Sequence, residues 1–205
     1  KFSELIERVT GIEAEVNYLF HGPLGIQTRD TTWKPEFRAA TKTAASTLKL
    51  LKRTDSDVDV DAFIDDRFIR AAYKQAGLDY EARLKDYGRS PLNAKDAKTG
   101  EAIKDPLLVA QLWITGEPKV RHYASPRNAL EAAKAAEDAG KKVRVVYAHD
   151  RNTGIKLFAH QSWFVSDTKG ALAAFLLKDD AEAWAKAKGG KVLDFTAAKM
   201  AATGK

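Results

Sequence analysis

The chain has 205 residues, 44% of them hydrophobic and 30% charged, which excludes global disorder and leaves room for one large domain or two small ones. No apolar run approaches the roughly 20 residues that cross a bilayer; the longest, 170–177, is eight. The net charge of +6 divides into −1 over residues 1–88 and +7 over 89–205, but the basic half scatters its lysines among carboxylates, which argues against a nucleic-acid partner. Cysteine is absent, so disulfides, thiolate metal sites and cysteine nucleophiles are all excluded. The chain begins at Lys1 with no signal-like segment, as expected of a processed or excised piece of something longer.

The first third reads as helical. Phe2, Leu5, Ile6 and Val9 have helical spacing and stop at Gly11. A Gly/Pro-rich loop, 21–30, follows. Trp33-Lys34-Pro35-Glu36 then opens a helix with Phe37, Ala40, Ala44, Thr47, Leu48 and Leu51 on one side. The acidic stretch 57–61 suits a helix start, and Phe63, Ile64, Phe68, Ala72 and Ala76 predict the helix that runs from it to Gly77. A fourth helix is expected over 80–87.

Residues 89–117 carry Pro91, Gly100, Pro106 and Gly116, which breaks any periodicity and predicts a connector with one short helix over 107–114. The expected units are therefore 1–88, helical, and 118–205, mixed. In the second unit 119–124 alternates as a strand, and Ser125-Pro126 starts a helix that ends at Gly140. Val143 to Ala148 is a strand, and Asp150-Arg151-Asn152-Thr153-Gly154 is turn chemistry leading into a partner strand over 155–159. Strands over 162–166 and 172–177, a helix from Asp179 or Asp180 to Gly189-Gly190, and a strand over 191–195 complete it. The tail AAKMAATGK is expected to fray.

An internal repeat is visible. Ala129 corresponds to Ala181, Ala133 to Ala185, Gly140 to Gly190 and Lys141 to Lys191, which predicts two β–α–β half-units around one core. The fold class is α+β.

Catalytic signatures such as H-E-x-x-H, a P-loop, G-x-S-x-G or G-x-G-x-x-G do not occur, so a non-enzymatic role is expected. His122, His149 and His160 lie on or beside predicted strands of the second unit. Imidazole suits Cu(II) or Zn(II), which makes these three candidate metal ligands and copper or zinc the candidate cofactors. Solvated or hydrogen-bonded structural histidines are the plainer alternative. In the loop 21–30, glycine amides with His21 and Arg29 could cradle an anion, with a simple turn as the alternative.

Two resemblances follow from particular residues. Asp59-Val60-Asp61-Ala62-Phe63-Ile64-Asp65-Asp66-Arg67-Phe68-Ile69-Arg70-Ala71-Ala72, then Gly77-Leu78-Asp79-Tyr80, resembles the last helices of substrate-binding proteins of nitrate/taurine/thiamine-precursor ABC transporters. Tyr147-Ala148-His149-Asp150, Thr153-Gly154, Ser162-Trp163-Phe164-Val165, Asp180-Ala181-Glu182-Ala183-Trp184-Ala185 and Gly189-Gly190-Lys191-Val192-Leu193-Asp194-Phe195 resemble NosL, the accessory lipoprotein of nitrous oxide reductase maturation. The second resemblance implies paired β–α–β halves and copper handling. The family's Met-x-His, however, is replaced by Thr168-Lys169-Gly170, and its cysteine motif is absent, so its ligands do not carry over. Together they imply a periplasmic accessory protein, lipid-anchored in a full-length form and peripheral to the membrane. Its expected partners are an ABC transporter permease or an acidic protein, and a small solute or metal ion. A protein-interaction module that has lost the copper site, and a histidine-based Cu(II)/Zn(II) chaperone, are the alternative functions.

Overall fold

The computed structural model of the chain describes residues 2–27, 32–86 and 92–204, and their contacts draw two units, 1–28 with 90–205, and 29–89. This division differs from the expected one at 88 and 118. The first helices belong with the mixed unit, and the expected connector runs through its centre.

The mixed unit begins with two helices, α1 (Phe2–Thr10) and α2 (Ala14–His21). After residue 92 come β1 (Ala110–Ile114), β2 (Arg121–Tyr123), α7 (Pro126–Asp138), β3 (Val143–His149) and β4 (Lys156–Phe158). A 3-10 turn over Ala159–Gln161 leads to β5 (Trp163–Ser166), β6 (Leu172–Phe175), α8 (Lys178–Lys188), β7 (Lys191–Leu193) and α9 (Phe195–Thr203). The strands form two antiparallel sheets, ordered β2-β1-β3-β4 and β6-β5-β7. The α+β class is confirmed.

Two sequence expectations fail here for identifiable reasons. Residues 110–114 form the central strand of the first sheet instead of a helix; every one of them is buried, so no alternation betrayed the strand. The tail does not fray. Asp194 caps α9 through the Ala197 amide at 2.8 Å, and Ala198 and Ala202 are buried against α7. Arg127 fixes the other end, donating to the carbonyls of Gly170, Ala202 and Ala201 at 2.5, 3.0 and 3.1 Å.

The repeat is real and longer than the sequence pattern suggested. Each half is ββαβ, with its first strand in the middle of the sheet and its second and third on either side. Each half is also preceded by a five-residue turn of the form D-x-x-T-G. Asp96 Oδ1 accepts from the amides of Lys98 and Thr99, and Asp150 Oδ1 from those of Asn152 and Thr153. The second oxygens take the amide just past the half's second strand, Ala124 at 2.6 Å and Leu176 at 2.8 Å. Both carboxylates are buried. Burial alone would raise their pKa values, but these amide donors, with Asn128 for Asp96 and the Thr153 hydroxyl for Asp150, hold both below the ordinary aspartate value.

The other unit contains α3 (Pro35–Leu50), α4 (Val60–Phe63), α5 (Arg67–Gln75) and α6 (Tyr80–Lys85). Asp59 and Asp79 cap α4 and α6. The single helix expected through Phe63 and Phe68 is broken at 64–66, and both phenylalanines are exposed. Its contacts are largely polar: the Lys34 ammonium donates to the carbonyls of Arg83 and Asp86 at 2.6 Å each, and Arg70 joins Asp66 to Glu81.

Candidate functional site: the outer face of the first half-sheet

Each half-sheet has two faces. In the first, Ala110, Leu112, Val146 and Ala148 pack with Ala129, Leu130 and Ala133 of α7 in the main core. The opposite face carries Gln111 and Trp113 of β1, His122 of β2, Val145, Tyr147 and His149 of β3, and Lys156 and Phe158 of β4. Across the strands one row runs His122, Gln111, Tyr147, Phe158.

Matching the D-x-x-T-G turns and the strand pairings places this row on Ala174, Phe164 and Leu193 of the second half. Those three are buried in the main core. The fold therefore accepts apolar side chains at these positions, and the first half supplies His, Gln and Tyr instead.

A β-bulge adds a second departure. Trp113 pairs with Val145, but Ile114 pairs with Val143, so Arg144 is the extra residue. Bulges re-aim side chains, and here Arg144 joins Val145 on the outer face, its guanidinium 4.9 Å from the centre of the Trp113 ring. It collects three carboxylates: Glu7 at 2.9 Å, Glu15 at 2.6 Å and Glu4 at 3.9 Å. The Glu15 carboxylate above all, with Glu7, stabilises the charged guanidinium and raises its pKa despite partial burial. The same contact lowers Glu7.

The face is covered by α2 and the loop after it. The Tyr18 ring lies 5.5 Å from both Trp113 and Tyr147, Ala14 and Leu19 are buried beside them, and the Tyr147 hydroxyl donates to the Glu15 carbonyl at 2.9 Å. Lys156 is fully buried below. Its ammonium sits 4.0 Å from the Tyr18 ring centre and 4.5 Å from that of Tyr147, and donates to the carbonyls of Tyr18 and Pro23 at 3.2 and 3.3 Å. Gln111 Nε2 donates to the same Pro23 carbonyl at 3.3 Å. The loop is tightly wound: a Cβ on Gly25 would lie 2.2 Å from the Phe20 carbonyl oxygen, and one on Gly22 2.5 Å from that of Tyr18.

In the described part of the expected anion cradle, it is the Pro23 carbonyl oxygen that faces the buried donors Gln111 and Lys156. His21 ends α2 on the exposed side, 6.4 Å from the Phe20 ring, and Arg29 lies outside the described residues.

The three candidate metal ligands do not converge. His122 and His149 share the face, but β1 lies between their strands, and His160 is exposed on the 3-10 turn, 5.5 Å from the Phe158 ring. His149 Nδ1 lies 2.7 Å from the Val109 carbonyl, and its cross-strand neighbour is Lys156. Burial, and secondarily the Lys156 charge, push the His122 pKa down and keep its imidazole neutral. Among the described residues, no cluster of three His, Cys, Asp or Glu could hold a metal ion. The strand register that separates the histidines is not encoded in their spacing. The place of Arg144 is likewise not encoded in its spacing, because only the bulge aims it outward.

No family model matches the chain, and neither does any curated protein. Among solved structures, the crystal structure of the copper chaperone NosL from Shewanella denitrificans aligns with 55% of this chain and 94% of its own length, at 22% identity and a TM-score of 0.43.

Proposed function

We propose that this chain is a non-enzymatic accessory module that works by binding another protein, and that its working surface is the outer face of the first half-sheet. One observation carries the reading: His122, Gln111 and Tyr147 stand where the second half places apolar residues in the main core, and a fully buried ammonium, Lys156, stands beside the histidines of the same face. A fixed positive charge there opposes a metal cation and favours a partner rich in carboxylate and carbonyl oxygens. The periplasmic, transport-linked setting implied by the two sequence resemblances is the one we assign, with an ABC transporter permease or an acidic protein as partner.

Delivery of Cu(II) or Zn(II) is the second reading. Its support is His122 Nε2, which is buried without a hydrogen-bond partner, and His149 on the same face. Native mass spectrometry of the chain before and after addition of Cu(II) and Zn(II) separates the two. The protein-binding reading expects the same apo mass throughout. A stoichiometric adduct that His122→Ala and His149→Ala together remove would replace it with metal delivery.

A further inference from the structure

We infer that the outer face of the first half-sheet is a helix-docking surface, that its partner is an acidic helix ending in a Glu-x-x-Tyr turn, and that α1 and α2 occupy it in cis. The inference rests on the protein-binding reading above and names the partner's chemistry.

The present occupant defines what the face recognises. Glu15 enters the fork of Arg144, and Tyr18, one helical turn later, slots its ring against Trp113 and Tyr147. Near the carboxyl end of α2, where the helix dipole is negative, the Lys156 ammonium meets the Tyr18 carbonyl, which also accepts from the Gly22 amide, and the Pro23 carbonyl of the following loop. Every charged group the sheet offers to α2 is positive, so the complement is an acidic helix, presented in the manner of helix-in-groove recognition.

The occupant also sits unlike a segment of an ordinary core. In α1 most apolar residues point away: Phe2 is 67% and Val9 75% exposed, with Leu5 and the following Ile12 also exposed and Ile6 half-buried, while Glu7 faces Arg144. The attachment of α1 to the sheet is therefore through the Glu4 and Glu7 carboxylates, whereas α2 adds Ala14, Leu19 and Tyr18 to the buried cluster around Trp113 and Tyr147. Surface-facing ion pairs are weak and screened by salt. A better helix than this arm must cover the same Trp113 and Tyr147 cluster, and the exchange leaves intact the main core on the opposite face of the half-sheet.

The test uses the full chain with its arm weakened and its face intact, as Glu15→Gln and as Glu15→Gln with Tyr18→Ala. The probe is a fluorescein-labelled peptide of residues 13–27. The expected result is peptide binding, read by anisotropy, that is about tenfold tighter to the double variant than to wild type, with Glu15→Gln between them. Binding weakens as salt rises and is lost when Arg144→Met is added. Near-UV circular dichroism confirms that each variant is folded; should the double variant fail to fold, Glu15→Gln alone carries the comparison. A folded arm variant that binds no peptide, or binds it equally well with Arg144→Met, overturns the helix-docking inference. That outcome leaves the accessory reading standing, since only a stoichiometric metal adduct removes it.

Discussion

His122 and Ala174 hold the same place in the two half-sheets: each gives its carbonyl oxygen, at 2.8 Å, to the amide that follows a buried aspartate, Ala97 after Asp96 and Arg151 after Asp150. The backbone is repeated; the side chains are not. Where Ala174 faces the main core, His122 faces the buried polar row beneath α2. The proposed working surface rests on that contrast.

The aspartate clamps make the domain acid-sensitive in a defined direction. Both carboxylates have folded pKa values below the unfolded value of about 3.9, so their contribution is fully present above it and is lost as pH falls through the folded value. Asp150→Asn replaces an acceptor with an amide whose nitrogen confronts backbone donors. We expect a loss of about 2–3 kcal/mol at neutral pH, and a flatter dependence of stability on pH below about 4, measured by urea unfolding across that range.

Lys156→Met removes the buried charge at nearly constant volume. Because that charge lowers the His122 pKa, the variant raises it, while burial continues to hold it below about 6.5. An NMR titration of the His122 ring in the two proteins measures the shift. No change would show that the ammonium and the imidazole do not sense each other.

Arg127 ties three carbonyl oxygens from two elements, so Arg127→Ala leaves the end of α9 and the β5–β6 turn unsatisfied. The expected cost is about 2–3 kcal/mol, read from thermal unfolding, with loss of amide protection concentrated over 195–203. Gly170→Ala is expected to act on the same contact, since its Cβ would lie 2.9 Å from the Arg127 guanidinium at a backbone φ of +79°.

Much of this architecture was legible. Ala129 with Ala181 exposed the repeat because each helix needs small residues where it meets its sheet, but the glycine that stops α8 as Gly140 stops α7 is Gly189 rather than the expected Gly190, and the strand register sets Lys191 level with Val145 rather than with Lys141. The duplicated D-x-x-T-G turn was equally visible, at Asp96 to Gly100 and Asp150 to Gly154, yet the first copy lay in a Gly/Pro-rich stretch that read as a connector. The candidate site was not legible. His122 and His149 reach one face through strand register, Arg144 through a bulge, and Lys156 through an aromatic cage that draws Tyr18 from 138 residues upstream. Composition and spacing carry none of these long-range pairings.

The most direct test of the account is native-state hydrogen exchange of the full chain, wild type and Arg144→Met, followed separately over α1–α2 and over β1, β3 and α7. If the arm is an exchangeable occupant of a binding face, its amides exchange by a local opening well below the free energy that opens the strands. Added salt and Arg144→Met accelerate the arm alone. If instead the arm exchanges only with the strands, and Arg144→Met destabilises both equally, α1 and α2 are fixed parts of the core and the face is not a docking surface.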